Sequence, residues 1–166
     1  MALAILTVRG IPTIIVAIPL LIMFGWLGLR DTHIGLILAY AAFTVPFAFW
    51  MLKSFIDDVP HEIEEAAMMD GMSRLEAHFR VTLPLIRGGV IATALFIFIL
   101  NWSEFLLAVV LTEKTVITVP VNMNLYGGAI GVQAALATVA ALPIVIMGLV
   151  IHKHLARGFT LGAIKR

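Results

Sequence analysis

The sequence contains no cysteine, which excludes disulfides, thiolate metal sites and a cysteine nucleophile. Charge is also scarce: Asp, Glu, Lys and Arg make up 13% of the residues, about half the share of a typical soluble domain. The formal net charge of +1 gives no basic field of the kind that attracts nucleic acid. Hydrophobic residues make up 61% of the chain, more than a soluble domain of this length can bury. We therefore expect an integral membrane protein whose surroundings are the lipid bilayer.

Four apolar runs are long enough to cross a bilayer, which takes about 20 mostly apolar helical residues. They occupy residues 11–29, 34–52, 89–111 and 134–151. None shows the alternation of polar and apolar residues expected of barrel strands. The predicted fold class is therefore all-α, a polytopic transmembrane helical bundle. Prolines inside three of the runs predict local kinks, which neighbouring helices can accommodate; these are Pro19, Pro46 and Pro143.

Lysine and arginine are distributed unevenly between the two sides of such a bundle. Arg30 and Lys114 lie on one side, and the other nine of the 11 basic residues lie on the opposite side. The positive-inside rule makes the richer side cytoplasmic. We therefore expect cytoplasmic termini and a cytoplasmic loop at residues 54–88, with residues 31–33 and 112–133 outside. The nine are Arg9, Lys53, Arg74, Arg80, Arg87, Lys153, Arg157, Lys165 and Arg166.

Residues 57–84, called the 57–84 loop below, carry the signals of two short helices. Pro60 is typical of a helix start, and Gly71 suits the left-handed residue that closes a helix. Residues 73–76 form a capping box that opens a second helix, and Pro84 is expected to end it. The pattern predicts a helix–turn–helix between two spans. Taken alone, it fits an ordinary amphipathic loop on the bilayer surface equally well.

Within this loop, Glu65-Ala66-Ala67, Asp70-Gly71 and Leu83-Pro84 have a recognisable spacing. They resemble the EAA motif of ABC-importer permeases. The sequences on either side of the motif narrow the resemblance to the maltose-type (carbohydrate uptake, MalG-like) permeases. Two of the similar stretches are residues 46–50 (PFAFW) and 102–106 (WSEFL). The resemblance covers nearly the whole chain.

This resemblance implies a type I ABC-importer permease fold with six spans, of which the four predicted here would be the last four. Residues 1–166 would then be one transmembrane permease domain, N-terminally incomplete, and the 57–84 loop would carry its cytoplasmic coupling helix. The implied location is the plasma (inner) membrane of a bacterium or archaeon, with multiple spans.

The resemblance also implies the function. Such a permease subunit forms the pathway for a sugar or related solute, together with a second permease subunit. An extracytoplasmic solute-binding protein delivers the solute, and separate ABC ATPase subunits hydrolyse ATP. The chain has no phosphate-binding G-x-x-x-x-G-K-[ST] motif, which agrees with a non-enzymatic subunit. No cofactor and no metal site are expected. The residues do not select among a mono- or oligosaccharide, a polyol and a glycerol phosphate.

Residue roles carry over from the motif. Glu65 would pair with a basic residue of the ATPase, Ala66 and Ala67 would let the helix seat closely, and Gly71 would make the turn. Asp70 could equally be a local cap or a partner contact. The second helix would pack on the first helix or on the partner. The full set predicted to couple to the ATPase is Glu65, Ala66, Ala67, Asp70, Gly71, Leu75, Phe79, Leu83 and Pro84.

Polar residues in the outer half of the third run form a candidate solute pathway, because an ionisable residue at membrane depth is commonly functional. They are Asn101, Trp102 and Glu104. An equally good interpretation is that Glu104 is hydrated near the interface and Trp102 is an interfacial aromatic.

Two other classes of function compete with this interpretation. One is a truncated or non-transporting membrane assembly protein, because the expected first two spans are missing. The other is an intramembrane protease. It is disfavoured because the serines are Ser54, Ser73 and Ser103 and no histidine lies at mid-membrane.

Overall fold

The computed structural model describes residues 12–125 and 130–162. These residues form α-helices joined by short turns, with one π-helical segment, His78–Thr82, and no strand. The all-α prediction is confirmed. The α-helices are α1 Thr13–Trp26, α2 His33–Asp57, α3 His61–Met69, α4 Arg74–Ala77, α5 Leu83–Leu85, α6 Arg87–Trp102, α7 Leu106–Leu111, α8 Val119–Leu125 and α9 Ile130–Gly162.

Within residues 12–125 and 130–162, two helices have the length and composition needed to cross a membrane. One is α2, with 25 residues, and the other is the part of α9 from Ile130 to Val150, with 21 residues. They correspond to the predicted second and fourth spans, although α2 continues to Asp57 rather than ending near residue 52. An ion pair between Lys53 and Asp57, one helical turn apart, stabilises this extra length. Pro46 and Pro143 lie inside these helices, as predicted.

The predicted first span is shorter in the structure than in the sequence. Helix α1 has 14 residues, so its length is about 21 Å, less than a typical hydrocarbon core of about 30 Å. It ends because Gly28 has a φ of +66° and the Leu29 N–H donates back to the Phe24 carbonyl at 2.9 Å. This hydrogen-bond pattern closes a helix. The predicted start at Ile11 lies outside the described residues.

The prediction of one unbroken helix over residues 89–111 is wrong. Helix α6 ends at Trp102, and α7 starts at Leu106 after a three-residue interruption. The Ser103 hydroxyl donates to the Ile99 carbonyl at 2.8 Å, and the Glu104 carboxylate accepts from the first turn of α7. Because these side chains provide hydrogen-bond partners, the helix can be interrupted here while nearby backbone N–H and C=O groups remain hydrogen-bonded. Apolarity alone does not register such a break.

The described residues form two compact units. One combines residues 12–47 with Phe98–Met147, and the other combines Ala48–Ile97 with residues 148–162. In the first unit, α7 packs among α1 and α2, and its Leu107 and Leu111 are each only 2% exposed. A short helix inside a membrane protein is tolerated where surrounding protein covers it. The buried cluster comprises Ala17, Phe24, Ala39, Leu107 and Leu111.

In the second unit, the helical path from Arg74 to Leu85 is bent by 73° from α6. Pro84 does not end the helix, contrary to the prediction, because it lies inside α5. The preceding segment is π-helical, and the Leu83 N–H donates to the His78 carbonyl five residues back. The wider register lets the chain stay helical through a proline that has no N–H to donate.

Candidate coupling loop and membrane site

The first helix of the 57–84 loop, α3, follows Pro60 and has Glu62 and Glu64 in its first turn, where the helix dipole favours negative charge. It ends at a turn in which Gly71 has a φ of +93°. The Gly71 N–H donates to the Met68 carbonyl at 3.0 Å, and the Met72 N–H donates to the Ala67 carbonyl at 3.2 Å. This pair of hydrogen bonds is a Schellman motif, which requires a left-handed residue at the position of Gly71.

The second helix begins as the capping box predicts. Ser73 precedes α4, and its hydroxyl accepts the Glu76 N–H at 3.3 Å. Helix α4 packs against α3 across the turn, with Ala67 7% exposed and Ala77 fully buried. The helix–turn–helix is therefore a folded element with its own small apolar contact.

The alanines of the predicted motif face different surroundings. Ala67 faces into the helix–turn–helix, whereas Glu65 and Ala66 are exposed. Within the described residues Glu65 forms no ion pair, so its carboxylate is available to a partner. Asp70 is the C-terminal cap residue of α3 by its backbone, with an exposed side chain.

Large apolar side chains project from this element without cover. Leu75 is 72% exposed, Phe79 is 63% exposed, and Met69, beside the turn, is 89% exposed. Leu75 and Phe79 therefore do not pack the second helix onto the first, which was one of the two expected roles. Leu83 and Pro84 are also exposed.

Sequence reasoning missed one polar contact in this element. Glu64 Oε1 accepts a hydrogen bond from the Thr82 hydroxyl at 3.4 Å and lies 3.7 Å from His78 Nδ1. Thr82 is only 3% exposed, so the contact ties α3 to the buried side of the π-helical segment. Glu64 precedes the recognised motif by one position. The available signal was its place on a different face of α3 from Glu65.

The structure brings the candidate pathway residues together at the break between α6 and α7. Glu104 uses both carboxylate oxygens, accepting the Leu107 N–H at 2.9 Å and the Ala108 N–H at 3.2 Å. The buried hydroxyl of Tyr40 lies near this carboxylate. Glu104 therefore caps the N-terminus of α7 inside the first unit.

Trp102 and Asn101 lie on the last turn of α6. The Trp102 indole N–H donates to the Ala140 carbonyl at 3.0 Å, within the turn that precedes Pro143. Its ring stacks on Phe98 with centroids 5.5 Å apart. Asn101 is half-buried beside it. The indole N–H thus has a partner within the protein.

A second cluster that the sequence did not reveal surrounds Asp31, between α1 and α2. Its carboxylate accepts four consecutive backbone N–H groups at 2.8–3.1 Å, and Arg30 forms an ion pair with Glu113. The hydrogen bonds, led by that from the Glu113 N–H, hold the pKa of the Asp31 carboxyl well below its usual range. The four donors are Glu113, Lys114, Thr115 and Val116.

A known protein family matches the region that contains these apolar helices and the loop between them. The family described as "Binding-protein-dependent transport system inner membrane component" matches residues 2–161. The chain belongs to this permease family. The match agrees with the resemblance carried by the EAA motif.

Relatives of this permease point to carbohydrate ABC transporters. A probable ABC transporter permease protein of Sinorhizobium fredii is 35% identical over 98% of this chain and 60% of its own length. A trehalose transport system permease of Mycobacterium tuberculosis is 36% identical over 98% of this chain and 62% of its own length. A trehalose/maltose transport system permease of Thermococcus litoralis is 36% identical over 85% of this chain and 52% of its own length. The chain thus spans about three fifths of the length of such permeases.

Proposed function

We propose that this chain is the permease subunit of an ABC importer and helps to form the membrane pathway for a sugar or related solute. ATP would be hydrolysed on a separate ATPase subunit that docks on the 57–84 loop. A second permease subunit and an extracytoplasmic solute-binding protein would complete the transporter. Membership of the family and the sugars named for the relatives support this proposal.

The observation that carries the docking proposal is the exposure of Leu75 and Phe79 on an ordered helix–turn–helix. Apolar side chains exposed to this degree next to charged ones are typical of an interaction surface. The neighbouring exposed Glu65 can supply a specific ion pair to a basic residue of the partner. Ala66, which is exposed and small, allows the partner backbone to approach α3 closely.

Solute contact at the break between α6 and α7 is a separate part of the proposal. Asn101, the ring face of Trp102 and the Glu104 carboxylate offer hydrogen-bonding and stacking groups of the kind that hold sugars. If Glu104 contacts solute, the Glu104→Gln variant will transport with an altered preference among sugars. Unchanged preference in that variant would leave Glu104 with its capping role alone.

Purification from native membranes tests the proposed function directly. The protein is extracted in mild detergent, and its companions are identified and quantified by mass spectrometry. We expect an ABC ATPase and a second permease in stoichiometric amounts. The Glu65→Lys variant should lose most of the ATPase, because it places a positive charge against the basic residue expected on the partner.

Glu62→Lys is the matched control, because it makes the same charge change at another exposed position on α3. It should retain the ATPase. Recovery of the wild-type protein with no ATPase would overturn the proposed function. Equal retention in both variants would remove Glu65 from the docking surface.

A further inference from the structure

Among the described residues, α3 and the π-helical segment make one polar side-chain contact. It joins Glu64 to Thr82, with His78 beside them. Thr82 is 3% exposed, and the Glu64 side chain is 25% exposed. The neighbouring acidic residues of α3, Glu62 and Glu65, are exposed by comparison. Glu64 is therefore distinguished from them by the direction in which its carboxylate points.

Thr82 is the last residue of the π-helical segment. A π-helical turn inserts one extra residue relative to an α-helix and rotates the residues that follow. Here the turn ends with the Leu83 N–H bonded to the His78 carbonyl, immediately before α5 and α6. His78 and Thr82 both face Glu64 Oε1, at 3.7 Å and 3.4 Å.

The base of α6 is also packed tightly against α2. A Cβ added to Gly89 would overlap the ring of Phe55, so the α6 backbone touches that ring. Gly89 is buried. The loop therefore joins α6 close to a tight contact between α6 and α2.

The turn at Gly71 is a hinge that could absorb movement. A Cβ added to Gly71 would meet no other atom within 4 Å, so the space beside the turn is open. Across the turn, α3 and α4 share only a small apolar contact, and a displacement of α3 that breaks this contact changes the angle at the turn and leaves α6 in place. The Glu64–Thr82 contact bypasses the hinge, because it joins α3 to a residue beyond α4.

We propose that Glu64 and Thr82 are positioning residues for energy coupling, whose contact makes α3 and the π-helical segment move together. A displacement of α3 by the ATPase is then passed to α6 rather than lost at the Gly71 turn. This inference rests on the proposed function, because it takes the ATPase to dock on the 57–84 loop. Glu64 acts through the structure of the loop and does not itself contact the ATPase.

The test compares solute transported per ATP hydrolysed in the complete transporter, reconstituted into liposomes. Thr82→Val and Glu64→Leu each remove one partner of this hydrogen bond and should retain bound ATPase at the wild-type level. Their transport per ATP should fall by about two- to tenfold, the factor expected when one hydrogen bond is lost from a coupled equilibrium. Thr82→Ser keeps the hydroxyl and should restore the wild-type ratio.

Glu62→Leu is the matched control for Glu64→Leu, because Glu62 lies on the same helix with an exposed side chain. It should leave the ratio unchanged. An unchanged ratio in Thr82→Val and Glu64→Leu would overturn the inference while the proposed function stands. A parallel fall of transport and hydrolysis would also overturn it, since that pattern signals general damage. Wild-type protein without a bound ATPase would instead refute the proposed function on which the inference rests.

A chemical cross-link provides a second measurement. The chain has no cysteine, so a Glu64→Cys, Thr82→Cys double variant offers the only two thiols in this subunit. Its transport per ATP should be low, and a short bifunctional methanethiosulfonate reagent should restore it by replacing the lost contact. A ratio that stays low after complete cross-linking would overturn the inference, because a rigid link would then be insufficient for coupling.

Discussion

Asp31 shows how much a single side chain can organise between distant segments. It has a φ of 55°, a left-handed conformation that aspartate adopts more readily than most residues. In that conformation its two carboxylate oxygens collect the N–H groups of residues 113–116. A carboxylate surrounded by donors is stabilised in its charged form, which explains the direction of its pKa shift.

We predict that Asp31→Asn lowers the thermal unfolding temperature by a few degrees at neutral pH, because an amide offers one acceptor oxygen and no charge. The folded-state pKa of Asp31 is depressed, so its contribution is complete above the unfolded pKa of about 4. It is lost as pH falls below that value. Unfolding of the detergent-solubilised protein, followed by fluorescence between neutral pH and pH 3, measures the difference between the two proteins.

The difference should be constant from neutral pH down to pH 5 and narrow below pH 4. A difference that does not change across the whole range would contradict the assignment of Asp31 as an ionised acceptor. Glu113→Gln provides the control, because it removes the exposed ion pair with Arg30 and leaves the four N–H groups in place. Exposed pairs contribute little, so this variant should unfold close to the wild type.

At the scale of elements, the loop and the third apolar run contrast with each other. The loop folds as its capping signals predict, because Ser73, Gly71 and their hydrogen-bond partners lie within a few residues of one another. The third run breaks at residues 103–105 because Glu104 finds donors on the next turn. A hydropathy pattern reflects only the surrounding apolar residues, so it does not show that the Glu104 carboxylate accepts backbone N–H groups and starts a new helix.

The close approach of α6 to α2 yields a prediction about packing. Gly89→Ala should destabilise the protein by about 1–3 kcal/mol, the usual cost of overpacking, because its Cβ would overlap the Phe55 ring. Gly88→Ala is the neighbouring control. Its Cβ would meet nothing within 4 Å, so it should be neutral or stabilise by up to about 1 kcal/mol through helix propensity.

Thermal unfolding of both variants in one detergent gives the comparison. Adding Phe55→Leu to Gly89→Ala should recover part of the loss, because the smaller side chain makes room. Equal stability of Gly88→Ala and Gly89→Ala would mean that the ring moves aside without cost.

At the scale of the whole molecule, the exposed apolar surface of α9 is the main feature. None of the 18-residue apolar window within Ile130–Val150 is buried by other parts of the chain. Side chains such as Val139, Leu142 and Leu149 are more than half exposed. They require lipid or further helices as neighbours, which agrees with a subunit of a membrane assembly.

The distribution of lysine and arginine predicts orientation, and the absence of cysteine makes this prediction simple to test. In cells, Lys114→Cys should react with a membrane-impermeant maleimide added outside. Arg74→Cys should react only after the membrane is permeabilised. The reverse labelling pattern would place the 57–84 loop outside and would remove it as a docking surface for a cytoplasmic ATPase.

The sequence by itself determined the membrane class, the helical fold, both ends of α3 and the start of α4. Composition and the length of apolar runs can be counted directly in the sequence. Helix caps depend on residues within one or two turns of each other, so the sequence shows them as well. The residues Glu65 to Pro84 likewise identified the family, because their spacing is local.

Only the tertiary structure decided which polar groups meet. Asp31 bonds to residues more than 80 positions away, Trp102 to Ala140, and Glu64 to Thr82. It also decided that Glu104 caps a separate helix within an otherwise apolar run. Each of these contacts depends on how the helices pack. The residues next to each side chain in the sequence do not indicate which distant residue it will contact.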